Sequence, residues 1–128
     1  MKIDETTILV TGGITDKVST NINPEASTKT YFHNLVTNTW IDGPDMLHRR
    51  ASHACQKMGS MFIVAGGRGS ETKSVEYLDS QNLEIGWRMM APLPLESPLM
   101  IPALDEKSLL LLSQSFRNGF HEAIYQLI

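Results

Sequence analysis

Two stretches of this chain, ILVTGG at 8–13 and FIVAGG at 62–67, run a short apolar segment into a pair of glycines. The glycine pairs lie 54 residues apart, whereas Trp40 and Trp87 lie 47 apart. A phrase written twice at such a period is the mark of a repeat architecture, in which one unit cannot bury its own faces and neighbours must stack on it. No other feature restricts the possible folds as much.

Alignment from the tryptophans sets ILVTGG, YFHNLVTNTW and IDGPDMLHRRASHA against FIVAGG, VEYLDSQNLEIGW and RMMAPLPLESPLMI. A further shift of 47 brings Leu110–Gln114 under Ile63–Gly67, so a third copy begins with Ser-Gln in place of the glycines. The chain then divides into a first repeat over 6–52 without its first strand, a complete second over 53–100, and a partial third over 101–128. The two periods differ locally. With His33 aligned to Tyr77, the first copy carries about ten extra residues within ITDKVSTNINPEASTK, a polar surface loop by composition.

The segments between turn residues are four to eight long and several are β-branched or aromatic, which predicts strands. SMFIVAGG is apolar almost throughout, as a strand covered on both faces should be. ASHACQKM and MFIVAGG read as a hairpin turning at Gly59-Ser60. The expectation is an all-β chain of about ten antiparallel strands. EAIYQLI is assigned to strand by the repeat, although its periodicity also suits a helix.

A net charge of −3 without a basic tract gives no electrostatic reason to expect nucleic acid or an anionic membrane as partner. One cysteine, Cys55, excludes an internal disulfide. MKIDETTILV does not read as a signal peptide, and the longest apolar run, Leu109–Leu112, is far below membrane-spanning length. A reducing, cytoplasmic setting is expected.

The ordered set Gly12-Gly13, Tyr31 or His33, Trp40, Pro44, Met46, Arg50, His53 and Ala54 resembles the kelch repeat. Its second occurrence has Gly66-Gly67, Tyr77, Trp87, Pro92 and Pro94, with Pro98 and Ile101 where the Arg and His should stand. The resemblance implies a β-propeller with one four-stranded blade per repeat. Here that means an incomplete propeller of about two and a half blades, either a segment of a longer protein or one completed by self-association through its open blade faces. It also implies structural roles: Trp40 and Trp87 packing between blades, the glycine pairs ending the second strand, Arg50 bracing a blade connection and His53 half-buried.

Catalytic chemistry finds little support in the residues. GGRGS lacks the Gly-Lys-Ser/Thr of a phosphate loop and the third glycine opening a helix that a dinucleotide site needs. His48 and His53 have no third ligand nearby, so no metal is expected. Cys55 reads as a buried, inert thiol, and Asp4-Glu5 and Asp105-Glu106 as solvated turn carboxylates. No cofactor is implied.

In the blade geometry, residues 14–29, 45–50, 68–72, 95–99 and 115–119 emerge on one face. Arg49, Arg68 and Arg117, with His48 and Lys17, are the residues expected to hold a protein partner there. Guanidinium makes bidentate contacts to carboxylates and is favoured at interface hot spots. By family analogy the partner-binding role is that of a substrate-recognition adaptor for a cullin-type ubiquitin ligase. Actin binding, or an oxidase or isomerase on the same scaffold, are the alternatives.

Overall fold

The computed structural model describes residues 1–15 and 25–93, together with the backbone of three strands beyond them. In chain order the strands are β1 (Thr7–Thr11), β2 (Ile14–Thr15), β3 (Glu25–Ala26), β4 (Thr30–Asn34), β5 (Thr39–Asp42), β6 (Arg50–Ala51) and β7 (Ala54–Met58). There follow β8 (Met61–Ala65), β9 (Arg68–Gly69), β10 (Val75–Asp79), β11 (Arg88–Met89), β12 (Pro98–Pro102), β13 (Ser108–Ser115) and β14 (Gly119–Gln126). Every pairing among them is antiparallel. The sole helical element among the described residues is a 3-10 turn at Leu83–Ile85. No helix among them is long and apolar enough to cross a membrane.

Three larger sheets follow one another along the chain: β1-β4-β5, then β11-β10-β8-β7, then β12-β13-β14. The second holds four strands, as the complete repeat requires. In the first sheet the place of its expected missing strand is taken by the chain start. Met1 and Leu9 exchange backbone hydrogen bonds of 2.7 Å, and Lys2 bridges Ile8. EAIYQ falls in β14, so the repeat was the better guide than the helical period.

Turn chemistry shapes each hairpin. Met58 pairs with Met61, leaving Gly59-Ser60 as a two-residue turn in which Gly59 takes φ 56°. The β4–β5 turn is closed by Asn34, whose Oδ1 accepts from the amides of Val36 and Thr37 at 2.9 and 3.0 Å. Asp79 occupies the matching place in the second sheet. Hydrogen bonds from the Asn82 side chain and the Gln81 amide hold its carboxyl below the usual range.

Register corrects the alignment of the third strand. Phe32 faces Leu9 and Tyr77 faces Ile63, and each pair lies at the same distance from its glycines. Phe32, not His33 or Tyr31, is therefore the counterpart of Tyr77, and the loop insertion is one residue shorter than supposed. A polar loop has no pattern that fixes register, so the two aromatic neighbours attracted the alignment.

The core has two parts. Leu9 and Met46 from the first sheet and its connection meet Phe62, Val64, Leu78 and Trp87 of the second, with Phe32 and Cys55 at the margin. On the other face of the second sheet lie Ala54, Met58, Ile63, Ala65, Val75 and Leu93. Trp87 is 4% exposed and its indole N–H donates to the Pro44 carbonyl at 2.9 Å. Trp40, expected to pack in the same way, is 58% exposed, because no sheet among the described residues lies against its face.

Candidate partner-binding face

The segments that follow the glycine pairs converge with the connection between the first two sheets. β6 pairs with β9, β2 with β3, and Ser27 bridges Arg50. The Gly13 amide donates to the Arg50 carbonyl at 2.8 Å, and the Arg50 amide to the Ser27 carbonyl at 3.0 Å. One end of the array therefore gathers residues 14–15, 25–27, 48–51 and 68–70.

The glycines permit this approach. Gly12 and Gly66 both adopt φ 63°, and Gly13 and Gly67 take 98° and 87°, so the repeated phrase has a repeated backbone. A Cβ on Gly67 would stand 2.7 Å from both the Ala51 carbonyl oxygen and the His53 Cβ. One on Gly12 would overlap the Arg50 carbonyl oxygen. Only glycine accommodates both the left-handed φ and this contact.

Beneath the face lies a charged core. Arg50 and Glu76 are both fully buried. Arg50 donates to Glu76 Oε2 through Nε at 3.0 Å and Nη2 at 2.7 Å, to the Gly66 and Ser74 carbonyls through Nη1 at 3.0 and 2.9 Å, and to Ser74 Oγ at 2.6 Å. Glu76 in turn accepts from the Leu47 amide and, at 3.2 Å, from the His48 amide. Through this network the position of residues 47–50 is fixed by the second sheet. Sequence reading missed Glu76 and Ser74. The available signal was an acid inside the otherwise apolar VEYL strand, beside an Arg50 expected to brace the blade connection.

Three of the five expected partner-binding residues fall among the described residues, and the structure brings them together. Arg49 extends along the surface, donating through Nη1 to Glu25 Oε2 at 3.2 Å and to the Ala26 carbonyl at 3.4 Å. His48 Nδ1 lies 3.4 Å from Ser70 Oγ, which also accepts from the Arg49 amide at 3.3 Å. Arg68 is exposed at the lip of a cleft of about 180 Å³ lined with Ile14, Ala26, Ala51 and Gly69. Arg49 already has a carboxylate partner in Glu25. Lys17 and Arg117 lie outside the described residues.

A second cleft, of about 310 Å³, opens beside His53 and is lined by Leu9, Val10, Thr11, Ser52 and Cys55. His53 Nε2 is 2.8 Å from Thr11 Oγ1, while Nδ1 is buried without a protein partner. Burial first, and the Arg50 guanidinium second, push His53 down to about 4, with Glu76 acting the other way, so the ring is neutral at pH 7. Cys55 is half-buried here, not sealed in the core as its apolar neighbours suggested, because its strand position faces the edge of the sheet contact. No three His, Cys, Asp or Glu side chains converge on a metal position among the described residues.

No protein-family model matches this sequence, and no curated protein does. Among solved structures the fold is similar to one titled "Structure of YjhT", with a TM-score of 0.65 at 11% sequence identity. The match covers 97% of this chain and 50% of that one, so this chain spans half the length of its structural neighbour. At that identity the likeness concerns the all-β fold alone.

Proposed function

We propose that this chain is a kelch-type propeller segment that acts without catalysis, holding a protein partner on the face formed by His48, Arg49 and Arg68. The carrying observation is the convergence of loops from successive repeats at one end, over a rigid buried Arg50–Glu76 base. Variable loops on a fixed repeat scaffold are a common way to build a recognition surface. Arg68 is exposed beside a small cleft, which suits an acidic side chain of the partner. Arg49 joins it by exchanging Glu25 for the partner's carboxylate, at little cost because that surface pair is solvated. The resemblance to kelch proteins supports substrate recruitment for a cullin-type ubiquitin ligase in a reducing, cytoplasmic setting as the role of the whole protein.

The test places a photo-reactive amino acid at Arg68 and identifies cross-linked species by mass spectrometry. The expected result is a cross-linked protein species abolished by Arg49→Glu together with His48→Ala. Cross-linking unchanged by those substitutions, or none beyond that of a probe at Gln56 on another surface, refutes the assignment of this face.

A further inference from the structure

Arg68 to Lys73 is an unbroken run of exposed side chains between the second glycine pair and β10. Ser70 lies within it. Its hydroxyl oxygen accepts from the Arg49 amide at 3.3 Å and is 3.4 Å from His48 Nδ1. Both distances are long for hydrogen bonds, so turning the hydroxyl outward costs the fold little. The other exposed serine among the described residues, Ser52, stands on left-handed backbone at φ 52°, while Ser27 and Ser74 are buried. Ser70 is therefore the serine that an enzyme binding an extended segment reaches most readily.

The surroundings of that hydroxyl suit an anion. Arg68, two residues earlier, enters no hydrogen bond or ion pair among the described residues. The Arg49 guanidinium is held by an exposed pair with Glu25 at 3.2 Å and by the Ala26 carbonyl at 3.4 Å. An amide donor and an imidazole nitrogen from the neighbouring connection already meet at Ser70 Oγ. A neutral hydroxyl uses this set weakly. A phosphate on the same oxygen brings three strong acceptors to it.

We propose that Ser70 is a phosphorylation site, modified by a protein kinase that reads the arginine before its target, and that the phosphate closes the loop face. In the transfer Ser70 Oγ bonds to the γ-phosphorus of ATP as the bond to the β-phosphate oxygen breaks. ADP leaves with the electron pair, and the hydroxyl proton passes to the kinase's catalytic carboxylate. The closing role rests on the partner-binding reading above; the site itself rests on the geometry around Ser70. In the unmodified chain Arg49 and Arg68 balance the nearby Glu25 and Glu71. A phosphate of charge about −1.5 to −2 turns the face anionic and occupies Arg68 from within its own chain.

Three measurements on the full chain test this. Incubation with Mg-ATP and an arginine-directed serine kinase, followed by fragment mass spectrometry, should place a phosphoryl group on Ser70, at least about tenfold more slowly in Arg68→Ala. A folded chain left unmodified at Ser70, or an Arg68→Ala chain modified as fast, overturns the proposal. With phosphoserine incorporated at position 70, phosphorus NMR should find its second ionisation strengthened at least about threefold over that in a free peptide of residues 64–76, because only the fold brings Arg49 and His48 to the phosphate. Equal values overturn it. Partner capture is read from a photo-reactive residue at Thr72, so that Arg68 stays in place. Capture should fall at least about tenfold with phosphoserine and persist in Ser70→Ala; undiminished capture by the phosphorylated chain overturns it. An unmodified chain that captures nothing refutes the loop-face reading instead, and the kinase and phosphorus measurements then decide the site.

Discussion

Replacing Glu76 by Gln changes the charge of one buried group while keeping its shape. The Arg50 guanidinium would keep its bonds to Gly66 and Ser74 but lose the anion that receives two of its N–H groups. With both side chains wholly shielded from solvent, water cannot compensate. Breaking such a pair from one side costs about 3–5 kcal/mol. That is a large fraction of the roughly 5–15 kcal/mol that holds a domain folded. With a urea slope of about 2 kcal/mol per molar, the midpoint should fall by about 2 M. Equilibrium urea unfolding at pH 7, followed by the emission of Trp87, measures it, with exposed Glu71→Gln as the control. The double variant Arg50→Met/Glu76→Leu sharpens the test. In an isolated buried pair that exchange is often neutral. Here it strips the Gly66 carbonyl and the Leu47 and His48 amides of the side chains that hold them, so wild-type stability should not return. A Glu76→Gln loss below about 1 kcal/mol, or a double variant as stable as the wild type, would refute the reasoning.

Gly67→Ala should destabilise by more than Gly13→Ala in the same urea assay. Both residues have positive φ, costing about 1–2 kcal/mol for alanine, but only Gly67 also meets Ala51 and His53; equal losses contradict the close-approach account. The low His53 value implies a neutral ring in the fold and a protonated one in the unfolded chain between about pH 6.5 and 4. Its contribution is therefore complete above pH 6.5 and is lost as pH falls toward 4. Roughly 1–2 kcal/mol of acid sensitivity remains after allowance for partial solvent access, and should vanish in His53→Gln; an unchanged stability–pH curve in that variant counts against it. Arg49→Ala should alter stability by less than about 1 kcal/mol, because its ion pair with Glu25 is exposed. A larger thermal shift would mean that Arg49 braces the loops and is not held available for a partner.

The longer strands and the Gly59-Ser60 hairpin were legible because each rests on a local signal: an apolar run, a glycine pair or a two-residue turn. The repeat carried the assignment of β14 where periodicity alone was ambiguous. What escaped notice depended on partners far along the chain. Glu76 is buried because Arg50, 26 residues earlier, reaches it across the sheet contact. Met1 to Ile3 complete an edge that the repeat length suggested was empty, since a bridge of so few residues leaves no pattern in sequence. Trp40 and Trp87 are alike in sequence context and opposite in exposure, for burial is decided by what stacks on the sheet. At the candidate face, the gathering of His48, Arg49 and Arg68 followed from blade geometry. Glu25 as the partner of Arg49 did not, because it sits at the far end of a loop whose length is irregular.

The segment from Arg49 to His53 is hydrogen-bonded to segments that leave both of the sheets it joins. It bonds to Gly13 and Ser27 on one side and to Arg68 and Gly69 on the other. Such a clasp makes peeling one sheet away impossible without opening the other. The first two sheets should thus form one cooperative folding unit, even though their ladders are separate. Amide exchange offers its signature. The backbone N–H groups of Gly13 and Ser27 lie in what resemble ordinary loops and that of Arg50 in a strand of two residues, yet all three should exchange at the pace of the central strands.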